Sequence, residues 1–162
     1  MILVNSSRIG ENLLPDQDAW SGYIKDFIPE PHICGSIMKR IASAKDFDSL
    51  AYKVGARTGG TVGRFNHIRS VVWAGRDKDL GLEPSREYVF VQEGGEGPCR
   101  PFGKKGDSGS MVFSEWGDWI GLIWGGPKDE GNDDDIVYVT DAQPLLDQMH
   151  EQLGKNWRFR LP

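Results

Sequence analysis

The chain has 162 residues, a formal net charge of −5, and a composition that is 38% hydrophobic and 10% aromatic. That length and apolar content suit one well-packed domain. The negative charge argues against nucleic acid or an anionic membrane as partner, and no apolar run reaches membrane-spanning length.

Gly (21 residues) and Pro (9 residues) are frequent, which fits a turn-rich β fold. In chain order, residues 1–5 read as a short strand around Ile2, Leu3 and Val4. Residues 12–31 carry Pro15, Pro29 and Pro31 and read as a connecting segment. Within it, Trp20, Tyr23 and Phe27 are three and four apart, one helical face expected to act as a packing surface. Ser36 as N-cap, with Ile37 and Ile41 inward, predicts a short helix over 36–44. Strands are predicted over 51–57, 61–73, 87–93, 110–115, 119–124 and 136–140. A polar loop with Gly81 and Pro84 joins the second and third of these. Gly94, Gly95, Gly97, Pro98 and Pro101 punctuate 93–103.

The acidic run 128–135 reads as a solvated loop. A calcium loop is the competing reading, but the spacing of an EF-hand is absent and no metal site or cofactor is expected. Asp141 as N-cap, Pro144 in the first turn, and Leu145, Met149 and Leu153 at four-residue spacing predict a helix over 141–153. Gly154 is its expected stop. Trp157-Arg158-Phe159-Arg160 forms a basic-aromatic tail expected to dock back on the body. Residues 1–50 are therefore read as a strand and connecting segment, and 51–162 as an all-β domain with a terminal helix. Only Cys34 and Cys99 are present. With no leader-like start, they favour a reducing, cytoplasmic setting and free thiols, and a bridge between them stays open.

Gly106-Asp107-Ser108-Gly109-Ser110 carries the most chemical information. Gly106 lets the backbone turn so that its N–H and that of Ser108 point into one pocket. Such paired donors stabilise the oxyanion of a tetrahedral acyl intermediate. Gly109 leaves room beside the serine. The run is not a G-x-S-x-G elbow, because Ser110 stands two residues after Ser108. It is not a P-loop either. Alone, it reads equally well as a polar hairpin turn.

Its surroundings favour the catalytic reading. Met111-Val112-Phe113, then Trp119-Ile120-Gly121-Leu122-Ile123-Trp124-Gly125-Gly126, then a strand and a helix follow the motif. This order resembles the second half of chymotrypsin/trypsin-like serine proteases. Val54-Gly55-Ala56-Arg57-Thr58-Gly59-Gly60-Thr61-Val62-Gly63 resembles the strand–turn–strand that opens their second barrel. The resemblance covers about 50–154, and its disulfide-free, Gly-rich style is similar to the trypsin-like domains of filamentous fungi. It implies an antiparallel six-stranded β-barrel with a C-terminal helix and an irregular N-terminal extension. It implies Ser108 as acyl nucleophile, with the Gly106 and Ser108 amides as the oxyanion hole. Asp107 would be the acid that the family holds with a chain-terminal ammonium, for which Arg57, Lys104 and Lys105 are the candidate substitutes here. Substrate-binding positions would be Phe102 near the pocket floor, Lys105, and Trp124, Gly125 and Gly126 along the wall. No carboxylate stands in that pocket, so an apolar substrate side chain is expected.

A triad also needs a base and a carboxylate to orient it. His32, His67 and His150 lack the Ala-His-Cys-like context of the family's base, and each reads as structural or surface. All-β two-barrel proteins run to roughly 200–250 residues in one domain. In the resemblance, residues 2–14 correspond to the chain just after the catalytic aspartate, which places base and acid upstream of this chain. The expected function is a serine peptidase-like domain that cleaves peptide bonds only when a first barrel supplies His and Asp. Its partners would be a peptide or protein substrate and either that first-barrel segment or a second copy of itself. A non-catalytic binding or oligomerisation module is the alternative, because a lone second barrel exposes the face that packs on the first. A hydrolase using His32 or His67 as an unusual base is the third reading.

Overall fold

The computed structural model describes residues 13–20, 29, 33–38, 40–42, 50–72, 84–93, 100–127 and 136–153. Six strands appear: β1 (Leu50–Gly55), β2 (Gly59–Val72), β3 (Ser85–Gln92), β4 (Met111–Ser114), β5 (Trp119–Gly125) and β6 (Ile136–Asp141). Helix α1 (Ala142–Leu153) follows. Each predicted strand and the predicted helix lie within two residues of these bounds. The strands pair antiparallel throughout and close into a barrel in the order β1-β2-β3-β6-β5-β4. Closure removes the free edges that an open sheet would present.

Alternation along the strands sorts the apolar residues into two clusters. Ala51, Phe65, Phe90, Phe102, Ile120 and Val139 belong to the first, which fills the barrel. Tyr52 and Phe113 point the other way and join Leu14, Trp20, Ile33 and Met38 in the second. Ala142 and Leu146 of α1 complete that second cluster. The N-terminal segment and the helix thus cover one outer flank of the barrel. Trp20, on a short 3-10 turn (Gln17–Trp20), is wholly buried. Its ring meets Tyr52 and Phe113 edge-on, at centroid distances of 6.1 and 5.9 Å. The first member of the stripe expected as a packing surface is thus an anchor on the barrel flank.

The helix predicted over 36–44 does not form at its described residues. Ile37 bridges Leu13, and Ile41 bridges Trp119 of β5. The Ala42 N–H donates to the Trp119 carbonyl at 2.8 Å, and the Trp119 N–H donates to the Arg40 carbonyl at 2.9 Å. Backbone groups that a helix would satisfy locally are satisfied by the barrel wall, where β-branched isoleucines pack well. The expected cap of α1 is present: an Asp141 carboxylate oxygen accepts the Gln143 N–H at 3.1 Å. Its other oxygen accepts from Tyr88 Oη and Arg69 Nη2, both at 2.9 Å, tying the helix start to β2 and β3.

The expected strand at 1–5, Tyr23, Phe27, His32, Cys99, the acidic run 128–135, Gly154 and the tail 157–160 lie outside the described residues. Cys34 carries a free thiol whose Sγ lies 3.7 Å from the Pro29 carbonyl. The buried indole predicts that Trp20→Ala costs about 3–5 kcal/mol, the usual range for removing a core aromatic. Urea unfolding of the two chains measures it. A loss below about 1 kcal/mol would mean that the N-terminal segment is not integral to the fold.

Candidate active site

The loop that carries Ser108 is built by two glycines in left-handed backbone, Gly106 (φ +104°) and Gly109 (φ +86°). Side chains rarely tolerate that region, so the turn needs glycine at both points. The Asp107 N–H donates to the Lys104 carbonyl (2.9 Å), and the Ser110 N–H to the Asp107 carbonyl (3.0 Å). The Gly109 N–H donates to the Ile123 carbonyl (2.7 Å), and the Ile123 N–H to the Ser110 carbonyl (3.0 Å). The loop is therefore zipped onto β5. Among the described residues, the N–H groups of Gly106 and Ser108 make no such bond. The Ser108 side chain is exposed, and its Oγ donates to the Trp124 carbonyl at 3.1 Å.

Asp107 points the opposite way and is wholly buried. Its cation is Lys53, not Arg57, Lys104 or Lys105. Lys53 Nζ lies 3.1 Å from one Asp107 oxygen, and both side chains are shielded from solvent. The same oxygen accepts from Thr58 Oγ1 (2.8 Å) and from the Lys104 N–H (3.0 Å). The other accepts from the Arg57 N–H at 2.7 Å. Arg57 and Lys104 thus serve through their backbones, while Arg57's side chain lies over Gly106. Lys53 also donates to Thr58 Oγ1. Burial pushes the Asp107 carboxyl up, but the Lys104 and Arg57 N–H groups, the Thr58 hydroxyl and the Lys53 charge outweigh it, leaving it at about 2. Burial also holds the Lys53 ammonium below its ordinary value, against the opposing pull of Asp107. Gly55 makes room for the pair. A Cβ there would run into the Asp107 carboxylate and come within 2.6 Å of Lys53 Nζ.

Ser108 stands at a cavity of about 450 Å³. Lys105, Trp124, Gly125 and Gly126 line it, together with Gly103, Lys104, Pro127, Ile123, Ile136 and Val137. Trp124 is half-exposed and stacks on Tyr138 with ring centroids 6.0 Å apart. Phe102 is not at the cavity: it is wholly buried in the barrel, its ring 5.5 Å from that of Phe90, and Gly103 takes the lining position. Phe102 sits in the loop between β3 and β4, and its ring turns inward over Gly63, where a Cβ would come within 2.6 Å of it. Sequence reasoning missed Lys53. The signal was a lysine two residues from Ala51 and two from Gly55, on the inward face of a strand, where a charge needs a buried partner.

Neither described histidine lines the cavity. His67 (φ +54°) sits in a bulge of β2 between Phe65 and Arg69, its ring 4.9 Å from that of Phe65. His150 lies in the last turns of α1.

Comparison with known proteins places the architecture. No family model and no curated protein matches the chain. Solved structures do. It is similar to the inactive form of a Ser-to-Ala mutant of Rv3671c from M. tuberculosis H37Rv, with a TM-score of 0.54 and 15% identity. The match covers 85% of this chain and 65% of that one. Against Rv3671c protease in its inactive form, the TM-score is 0.51, identity 17%, and coverage 75% and 57%. The barrel has the trypsin-like protease fold. The chain spans less than two thirds of the length of these structures.

The buried pair gives a pH prediction. The folded Asp107 carboxyl, at about 2 against an ordinary 3.8, holds its proton less readily than the unfolded one. Its stabilisation is complete above 3.8 and is lost as the pH falls towards 2. Asp107→Asn should cost about 3–5 kcal/mol near neutrality, because it strands a buried ammonium. It should also flatten the fall in stability across that acid window. Urea unfolding between pH 2 and pH 6 of both chains tests this, and parallel pH profiles would remove Asp107 from the acid transition.

Proposed function

We propose that this chain is a serine peptidase-like domain whose nucleophile is Ser108. One observation carries the reading: an exposed serine at the mouth of a cavity, on a loop whose preceding aspartate is buried and fully bonded. In that reaction Ser108 Oγ attacks a peptide carbonyl and gives its proton to a base. The Gly106 and Ser108 amides receive the oxyanion, and the base then protonates the leaving amine. The cavity takes the side chain next to the cleaved bond. Its Ile123, Ile136 and Val137 lining favours an apolar body.

Among the described residues, no base stands beside Ser108. The Ser108 proton goes to the Trp124 carbonyl, which is no base, and no described histidine reaches the cavity. A first-barrel segment supplying a His and an Asp completes the site in this reading. The chain's partial span of the protease structures it resembles supports that arrangement. The same Ser108–Trp124 bond favours the second reading, a protease-like module that binds through this cavity without cleaving.

A fluorophosphonate probe discriminates between them. The chain alone should label at Ser108 slowly, because a positioned base is worth about 10²–10⁴-fold. Co-expression with a segment that carries the His and Asp should restore that factor, and Ser108→Ala should abolish labelling while leaving assembly intact. Fast labelling of the chain alone would locate a base within it. No gain on adding the segment would leave the binding module in front.

A further inference from the structure

The clamp on Asp107 has a consequence for how the site is switched on. We propose that Lys53 is the positioning residue of the nucleophile loop, so that the loop takes its Ser108-presenting shape as the barrel folds, with no cut in the chain. The proposal rests on the peptidase reading of Ser108 and concerns the regulation of that site.

Lys53 lies in the middle of β1, paired with Thr61 of β2 and Val112 of β4. Its position is therefore fixed by the barrel and not by a mobile chain end. A charge on an inward strand position is costly unless a partner meets it. Here the partner is the residue immediately before Ser108, with Nζ 3.1 Å from its carboxylate. Asp107 joins three pieces of chain: β1 through Lys53, the β1–β2 turn through Arg57 and Thr58, and its own loop through Lys104. Each holds the carboxylate inward. Gly106 and Ser108 flank it in sequence, so an inward carboxylate leaves their N–H groups and the Ser108 hydroxyl on the outer side. The close approach at Gly55 shows that the space is shaped for this pair and admits no further side-chain atom.

The experiment uses the intact chain and reads amide hydrogen exchange at Asp107, Gly109 and Ser110, with Val89 and Val139 as barrel references. In the uncut wild type the loop amides should be protected. Lys53→Ala should speed their exchange at least tenfold relative to the references. Propylammonium, which replaces the deleted atoms and the charge, should restore protection, whereas propanol, of similar size and neutral, should not. If Lys53→Ala does not fold, Thr58→Val removes only the hydroxyl between the two charges and should speed loop exchange about tenfold. Unchanged loop exchange in these variants, equal rescue by propanol, or protection that appears only after the chain is cut would each overturn the proposal. Fluorophosphonate labelling of the same samples, with the base segment supplied, keeps the two ideas apart. A protected, clamp-dependent loop whose Ser108 never labels would sink the peptidase reading and leave the clamp standing.

Discussion

A carboxylate removed from water dominates the organisation of this molecule. Asp107 would be expensive to bury alone, and it is stabilised by a lysine ammonium, a threonine hydroxyl and the backbone N–H groups of Arg57, Thr58 and Lys104. Because those donors sit on β1, on the β1–β2 turn and on the loop itself, the carboxylate can be satisfied only in the closed barrel. The exposed serine, the turn at Gly106 and the cavity wall at Gly103 and Lys104 all follow from where that one side chain is held.

The barrel supplies the rigidity that this arrangement needs. Every strand is paired on both sides, and the loop is bonded to β5 through Gly109, Ser110 and Ile123. The outer flank is sealed by the N-terminal segment through Trp20 and by α1 through Leu146. Arg69, Tyr88 and Asp141 fasten the helix start to the opposite strands, with the Arg69 guanidinium 4.2 Å from the Tyr88 ring centre. Burial of the ring, and then the hydrogen bond to the Asp141 carboxylate, raise the Tyr88 phenol above its ordinary value, so it stays a donor near neutral pH. The site therefore rests on packed elements rather than on loops alone, which suits a geometry that must be held to fractions of an ångström.

The Ser108 hydroxyl lies beside the cavity and donates to the Trp124 carbonyl. A hydroxyl that donates to a backbone carbonyl is held in place but not activated. His67 serves the bulge in β2 and packs on Phe65, so its ring belongs to the wall of the barrel.

Local pattern alone determined the strands, the terminal helix and the glycine turn that carries Ser108. Alternation, turn glycines and the Asp141 cap are properties of neighbouring residues, and neighbours are what a sequence displays. Lys105, Trp124, Gly125 and Gly126 line the cavity because they lie beside that turn or at the end of β5, which is bonded to it. Tertiary structure decided the rest. The partner of Asp107 lies 54 positions away in Lys53, and only strand pairing brings the two together. Packing against Phe90 and over Gly63 turned Phe102 into the core and left Gly103 at the cavity. Ile37 paired with Leu13, and Arg40 and Ala42 exchanged hydrogen bonds with Trp119 of β5, because tertiary structure offered partners that no local pattern records.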